Sequence, residues 1–459
     1  MAGIGFVLRK ISQQNNLIGL AQAHVNATIL ATGPWLFTIV AFWIINMSVA
    51  SYMAPDQIMR FMIVVIYNFS FSSVFCGAIT LVSTRYIADC IFSRKTDPVP
   101  SLLVETVCFT LLVQAPLAIW FYFGVLSMSY QLAWLSVANY LIISLIWLTS
   151  VYLTAVKNYH AVTIAFGTGM VVAIISIYWL GYYYRIPGMM LGLNLGLGCC
   201  LALILANILS EYPYPFKWTA DILGYIKRFW LLIMSGLVYN LAIWVDKWIM
   251  WFAPDSLVTE AGFRANLSYD SAMFMAYLMI IPALGVFIFT LETTFHEKYL
   301  IFYNDINNKA NYDRIEHNQL VMVDTLKHSF IHFVAFQGVL TVIIVLLAPK
   351  LIMTLDTSLL RLGIFRLGVI GVFFHMMVLF LTIVLSYFDC KKSILIIQLV
   401  FLILNASLTY VTMKTDFVYY GLGYMLAAMI TFSLAAVITI SHLKVLPYAT
   451  FITNNSSIK

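Results

Sequence analysis

The sequence predicts an all-α polytopic membrane protein with twelve transmembrane helices in two six-helix bundles and both termini in the cytosol. Three observations predict it. The 459-residue chain is 62% hydrophobic and only 10% charged. From Thr106 to Ser210 it carries just two formally charged residues, Lys157 and Arg185, and a water-solvated domain cannot cover its surface with so little charge. The apolar runs are also continuous over about 20 residues, the length of a helix crossing the hydrocarbon layer. They lack the alternating, roughly ten-residue pattern of a membrane barrel.

The elements follow in order. Residues 1–25 are expected to open on an interfacial helix, with Ile4, Leu8 and Ile11 on one face and the basic pair Arg9–Lys10 beside them. The run Asn26–Ala50 is too long for a cleavable signal core and reads as a retained first span. Five further spans complete the first bundle (26–208): Phe61–Ser83, Ser101–Leu126, Tyr130–Leu153, Val162–Tyr183 and Pro187–Ile208. The segment 209–228, with Pro213 and Pro215, reads as a cytosolic linker. The second bundle (229–442) begins with Phe229–Phe252 and Leu267–Leu291. A polar cytosolic excursion (292–327), with six acidic and four basic residues, interrupts it. It then continues through His328–Ala348, Ile364–Phe388, Ser393–Val411 and Val418–His442 to a cytosolic tail, 443–459. Two sets of six suggest an internal duplication, as in several transporter folds. Pro34, Pro116 and Pro282 are expected to kink their helices. Gly188, Gly192 and Gly196 recur every four residues, as on a close-packing face.

Lysine and arginine placement sets the orientation. Of the 25 such residues, 17 fall on the side of the N-terminus, seven on the opposite side, and Lys247 within a span. Lys350, Arg361 and Arg366 run against this trend.

Several function classes are excluded. The net charge of +6 is scattered among short loops and does not form a nucleic-acid surface. There is no phosphate-binding G-x-x-x-x-G-K-S/T loop and no H-E-x-x-H zinc motif, so no cofactor or metal is expected. His328 and His332 are four apart, but they sit at a membrane boundary, where interfacial histidines are ordinary. The six cysteines give no disulfide framework.

Polar side chains inside spans are costly and mark candidate sites. The densest group runs from Tyr239 to Trp248. Asp246 and Lys247 are adjacent, point about 100° apart on a helix, and are not expected to pair. Asn240, Trp244, Lys247, Trp248 and Trp251 share one face. Aromatic faces beside hydrogen-bonding groups suit sugar rings; an interfacial tryptophan belt with a snorkelling lysine is the alternative. Tyr67 and Asn68 in the second span, Gln114 in the third and His375 in the tenth complete the candidate substrate path. Interhelical hydrogen bonding is the competing reading for these.

A family resemblance rests on the order of several motifs. The chain opens Met1-Ala2-Gly3-Ile4-Gly5-Phe6, then Leu8-Arg9-Lys10, and Gly33-Pro34-Trp35 enters the first span. Thr84-Arg85-Tyr86-Ile87-Ala88-Asp89, the Tyr239–Trp248 stretch and Glu292-Thr293-Thr294-Phe295 follow. Over its whole length the chain resembles the PelG family of exopolysaccharide transporters, within the multidrug/oligosaccharidyl-lipid/polysaccharide exporter superfamily. The resemblance implies two six-helix bundles facing each other across a cavity in the bacterial inner membrane. It implies as substrate a partly deacetylated, N-acetylgalactosamine-rich polymer of cationic character, exported for the biofilm matrix. It further implies a PelF-like cytosolic glycosyltransferase and PelD-like and PelE-like membrane proteins as partners, the PelD-like one sensing cyclic-di-GMP. No catalytic residues carry over. Lys247, Arg361 and Arg366 place positive charge near the exit of a cationic product, so they are expected to face partners, lipid phosphates or acidic neighbours.

Three rivals remain open: a lipid-linked oligosaccharide flippase of the same superfamily, a membrane-embedded glycosyl- or acyltransferase, and a non-conducting scaffold for a polysaccharide synthase.

Overall fold

The computed structural model describes residues 17–155, 158–218, 221–354 and 361–446. The expected interfacial segment up to residue 16, Lys157 and the tail from residue 447 lie outside the described residues. Among the described residues, eleven helices are long and apolar enough to cross a membrane.

The described chain forms two compact units. The first comprises Thr32–Trp244 and Trp251–Asn266. The second takes the residues up to Ala31, Val245–Met250 and those from Leu267 onward.

In the first unit, α1 (Leu17–Val49, from Thr32) is followed by α2 (Pro55–Phe92) and α3 (Val99–Ile119). Pro55 starts α2 where its missing N–H costs nothing, after an extended Ala54. The apolar run that opens α3 carries on past Pro116 into a wider π-helical turn, Trp120–Val125. Next come α4 (Tyr130–Ala155) and α5 (Tyr159–Glu211), the latter capped by the Asn158 side chain, which accepts from the Ala161 N–H at 3.2 Å. A short amphipathic helix, α6 (Asp221–Arg228), leads into α7 (Trp230–Met250), whose residues up to Trp244 belong to this unit. The unit's last piece is a small hairpin, β1 (Leu257–Val258) paired antiparallel with β2 (Arg264–Ala265).

The 53 residues of α5 could not lie straight across a bilayer; at 1.5 Å per residue they would span ~80 Å against ~30 Å of hydrocarbon. The helix folds back instead. Arg185 takes φ 56° and ψ −135°, and Pro187 follows, unable to continue the preceding ladder. The two limbs then run side by side in opposite directions. A Cβ on Gly192 would lie 2.6 Å from Ile177 N, one on Gly196 would press on Ala173, and one on Gly169 would lie 2.7 Å from the Cys200 Cβ. The glycine repeat seen in sequence is therefore a close-packing face. Tyr52 fastens the turn: its carbonyl accepts from Arg185 Nη1 at 2.8 Å and its hydroxyl donates to Tyr178 O at 3.1 Å.

In the second unit, the expected span Leu267–Leu291 is divided into α8 (Leu267–Tyr277) and α9 (Ile280–Thr290). Pro282 lacks the N–H that would bond the Leu278 carbonyl, and its ring crowds that carbonyl. The break therefore falls at Leu278–Met279, one turn before the proline, where Ile281 N–H reaches back only three residues to Leu278 O. The polar excursion is helical, with α10 (His296–Asn307) packed against the start of α11 (Tyr312–Thr354). Asp305, buried between them, bonds Arg314 and Asn318. The unit closes with α12 (Leu362–Tyr387), α13 (Lys391–Met413) and α14 (Leu422–Lys444), where α14 packs on both α12 and α13. Left-handed Lys309 and Asp389 end α10 and α12. In each case the next N–H bonds a carbonyl five residues back, Ala310 to Asp305 and Cys390 to Leu385.

Candidate functional site

Each unit buries polar side chains among its apolar helices. In the second unit, the last turns of α7 deliver Asp246, 0% exposed, and Lys247, 7% exposed. The sequence expectation that these neighbours cannot pair is corrected here. Lys247 Nζ lies 3.1 Å from both Asp246 carboxylate oxygens. Cα directions do diverge between adjacent helical residues, but the four-carbon lysine stem curls back and brings its ammonium over the carboxylate. Of the partners, lipid phosphates or acidic neighbours expected to face this lysine, the preceding residue supplies an acidic neighbour.

The other helices complete the shell. The Tyr269 hydroxyl on α8 donates to Asp246 Oδ2 at 2.8 Å, and Asn405 Nδ2 on α13 approaches Oδ1 at 3.4 Å. Lys247 donates to the Tyr277 hydroxyl at 3.1 Å and lies 4.3 Å from that ring's centroid and 5.6 Å from the Tyr424 centroid. Tyr424 Oη is 2.8 Å from His375 Nδ1, joining α14 to α12. Asn405 is in turn bonded by Thr409 Oγ1 at 3.3 Å. A charge pair this deep exists only because carboxylate, ammonium and hydroxyls satisfy one another; desolvating either ion alone costs several kcal/mol.

The first unit's core holds amides and hydroxyls. Asn68 Nδ2 on α2 donates to Asn139 Oδ1 on α4 at 2.8 Å and to Ser136 O at 3.2 Å. The Tyr122 hydroxyl donates to Asn68 Oδ1 at 2.5 Å. Asn139 passes the chain on to Asn194 Oδ1 in the returning limb of α5 at 2.8 Å, and Asn194 Nδ2 ends it on Leu135 O at 2.9 Å. A second cluster joins Gln114 to Ser144, whose hydroxyl donates to Oε1 at 2.8 Å, and to Cys76, whose sulfur is 3.4 Å from Nε2. One carboxylate, Glu105 on α3, is also buried at 3% exposure, next to the Thr106–Tyr152 hydroxyl pair at 2.9 Å.

The aromatic candidates are engaged within the first unit. Asn240 Nδ2 bonds Gly236 O at 2.9 Å, where α7 crosses α2 at Gly77; a Cβ on Gly77 would lie 2.8 Å from the Gly236 carbonyl oxygen. Trp244 Nε1 donates to Ser73 Oγ at 2.9 Å. Trp251 stacks on Tyr67, with centroids 4.3 Å apart and planes 12° from parallel. The Tyr67 hydroxyl clasps the hairpin, donating to Arg264 O at 2.7 Å and accepting from Arg264 N at 3.1 Å. The helical face read from sequence is therefore shared out: Asn240, Trp244 and Trp251 lie in the first unit and Lys247 in the second.

Sequence reading missed Glu105, Tyr122, Asn139, Asn194, Tyr269, Tyr277, Asn405 and Tyr424. The three asparagines carry the same signal as Asn68, an amide inside an apolar run. Glu105 sits one residue before the stretch Thr106–Ser210, whose only charged residues are Lys157 and Arg185. Among the described residues, no group of three or more His, Cys, Asp or Glu side chains is placed to hold a metal. Outside the spans, Cys390 lies 3.2 Å from His442 Nε2; burial, with Asp389 adding to it, pushes its thiol up to about 11.

The model of the family described as PelG, exopolysaccharide exporter (EPS-E), matches residues 1–451. No curated sequence matches the chain. Among solved structures, the chain is similar to an outward-facing multidrug resistance MATE family transporter of the MOP superfamily, with TM-score 0.65 and 13% identity over 93% of this chain and 96% of that one. It is similar to the inward-facing conformation of such a transporter, with TM-score 0.61 and 15% identity over 91% and 95% of the two chains. A MOP superfamily transporter from Pyrococcus furiosus, described by the reverse polarity of its binding pocket, gives TM-score 0.61 and 14% identity over 92% and 96%. At these identities the likeness establishes the fold. Matched family and fold are those of multi-pass membrane transporters, not of enzymes.

Proposed function

The chain belongs to the PelG family of exopolysaccharide exporters, and from that premise we propose that it conducts a growing polysaccharide across the bacterial inner membrane. The match over residues 1–451 carries this reading. The substrate is a Pel-like, partly deacetylated, N-acetylgalactosamine-rich polymer delivered by a cytosolic glycosyltransferase. The chain crosses the membrane twelve times, with α5 counted twice because of its reversal at Arg185, and both termini are cytosolic. The bundles are 26–208 and 229–442.

The candidate path draws on Tyr67, Asn68, Gln114, Asn240 and Trp244 in one unit and Asp246, Lys247 and His375 in the other. All are engaged within their own units, so a conducting state exchanges some of these bonds for sugar hydroxyls. The ledge formed by α10 and the start of α11 docks the glycosyltransferase, and PelD-like and PelE-like membrane proteins complete the assembly. Deleting the ledge tip around Asn304–Asp313 then abolishes co-purification with the glycosyltransferase; undiminished co-purification removes the ledge from the account.

The direct test reconstitutes the chain and its glycosyltransferase in vesicles supplied with nucleotide sugar. Polymer accumulating inside, protected from added glycosidase, is the expected result. Equal protection without the chain contradicts the reading. Alternating-access flipping of a lipid-linked oligosaccharide is the second reading, favoured by likeness to transporters solved in outward- and inward-facing conformations. The length of the transported glycan separates the two: long polymer for conduction, short units for flipping.

A further inference from the structure

The second unit's core has the composition of a cation site. The Asp246 carboxylate has both oxygens 3.1 Å from a positive nitrogen, and Asp270 adds a second negative charge that acts on it from further away. Around the same nitrogen stand the Tyr277 hydroxyl, at 3.1 Å, and the Tyr277 and Tyr424 rings, with centroids at 4.3 and 5.6 Å. The same two carboxylate oxygens also accept from Tyr269 and Asn405. These ligands come from α7, α8, α13 and α14, and the nitrogen they surround is at the tip of a flexible side chain.

We propose that this core is a monovalent-cation site whose cation is the chain's own Lys247 ammonium, so that shortening the side chain hands the site to a free primary alkylammonium ion. The chemistry selects that class. A bare alkali ion seeks a full shell of oxygens, whereas a carboxylate facing tyrosine rings suits an ammonium with N–H donors and a soft organic surface. Truncation of the lysine also vacates the volume of its methylene stem, which an alkyl group refills. The anion left behind supplies the driving force, because a buried carboxylate without its counter-charge costs several kcal/mol. In the natural protein the tethered ammonium keeps the site filled whatever ions surround the membrane. The proposal does not depend on what the protein transports.

The test is thermal unfolding of the purified full chain in lipid nanodiscs, in choline, sodium or methylammonium chloride at equal ionic strength. The natural protein is expected to unfold at one temperature in all three salts. Lys247→Ala is expected to unfold lower in choline and to rise by about 2 °C or more in methylammonium, with a smaller rise in sodium. Asp246→Asn/Lys247→Gln, which replaces both charges by neutral hydrogen-bonding groups, is expected to respond to none of them. If Lys247→Ala yields no folded protein in choline, purification in methylammonium throughout is the same test, and recovery of folded protein there supports the proposal. Three results overturn it: a single variant indifferent to methylammonium or unfolded in every salt, a sodium effect equal to or larger than that of methylammonium, or a neutral double variant that responds like the single one.

Discussion

The two units solve the same problem with different chemistry. Each packs apolar helices and buries a polar core among them. In the first, Asn68, Asn139 and Asn194 hand hydrogen bonds from α2 through α4 to α5 as neutral amides. In the second, α7 brings a full carboxylate–ammonium pair into a shell of tyrosines. A neutral network loses stability in steps, because each amide removed costs about one or two hydrogen bonds. A buried ion pair behaves as a unit, because removing one partner strands the other. The core built from charges should therefore be the more brittle one, and the more readily converted to a different occupant.

That contrast can be broken or sharpened by substitution. Asp246→Asn should have the largest effect, about 3–5 kcal/mol of destabilisation, because it removes the carboxylate in direct contact with the Lys247 ammonium. Thermal unfolding in nanodiscs reads it, and a melting temperature near that of the natural protein would remove the ion pair from the account. Asn139→Leu comes next. It withdraws the acceptor used by Asn68 and the donor used by Asn194, for about 1–3 kcal/mol. A loss as large as that of Asp246→Asn would erase the distinction between the cores. Tyr67→Phe keeps the stack on Trp251 but removes both hydrogen bonds to Arg264, for about 1 kcal/mol. The local signature is faster amide exchange confined to the hairpin Leu257–Ala265, and exchange unchanged there would show that the clasp holds nothing. Arg60→Ala breaks a solvent-exposed pair with Glu260 (2.8 Å) and should leave the melting temperature unmoved; a measurable drop would mean that surface charge matters as much as buried charge.

Much of the architecture was legible because lipid imposes a simple pattern. Long apolar runs became helices, although some extend well past the expected limits, as Pro55–Phe92 and Tyr312–Thr354 do, and the glycine repeat at Gly188, Gly192 and Gly196 became a packing face. The departures have local causes. Pro282 broke its helix a full turn earlier than its own position, because the hydrogen bond it forfeits belongs to Leu278. Of the core residues, Asn68, Gln114, Asp246, Lys247 and His375 were visible as polar groups in apolar runs, and Asn139, Asn194 and Asn405 carried the same unheeded signal. The tyrosines were not legible. The chain has 27 of them, and nothing in spacing separates Tyr269, Tyr277 and Tyr424 from those that meet lipid. The pairing of Asp246 with Lys247 was misread because helix geometry describes where Cβ bonds point and not where a long flexible stem ends.

The central claim is that a charged core and an amide core differ in how tightly their members are coupled. Double-mutant cycles on Asp246/Lys247 (Asn and Gln replacements) and on Asn68/Asn139 (Leu replacements), read by unfolding in nanodiscs, measure it directly. The account predicts a coupling of about 2–3 kcal/mol for the ion pair against about 1 kcal/mol or less for the amides. Equal couplings, or an ion pair whose single losses simply add, would contradict it.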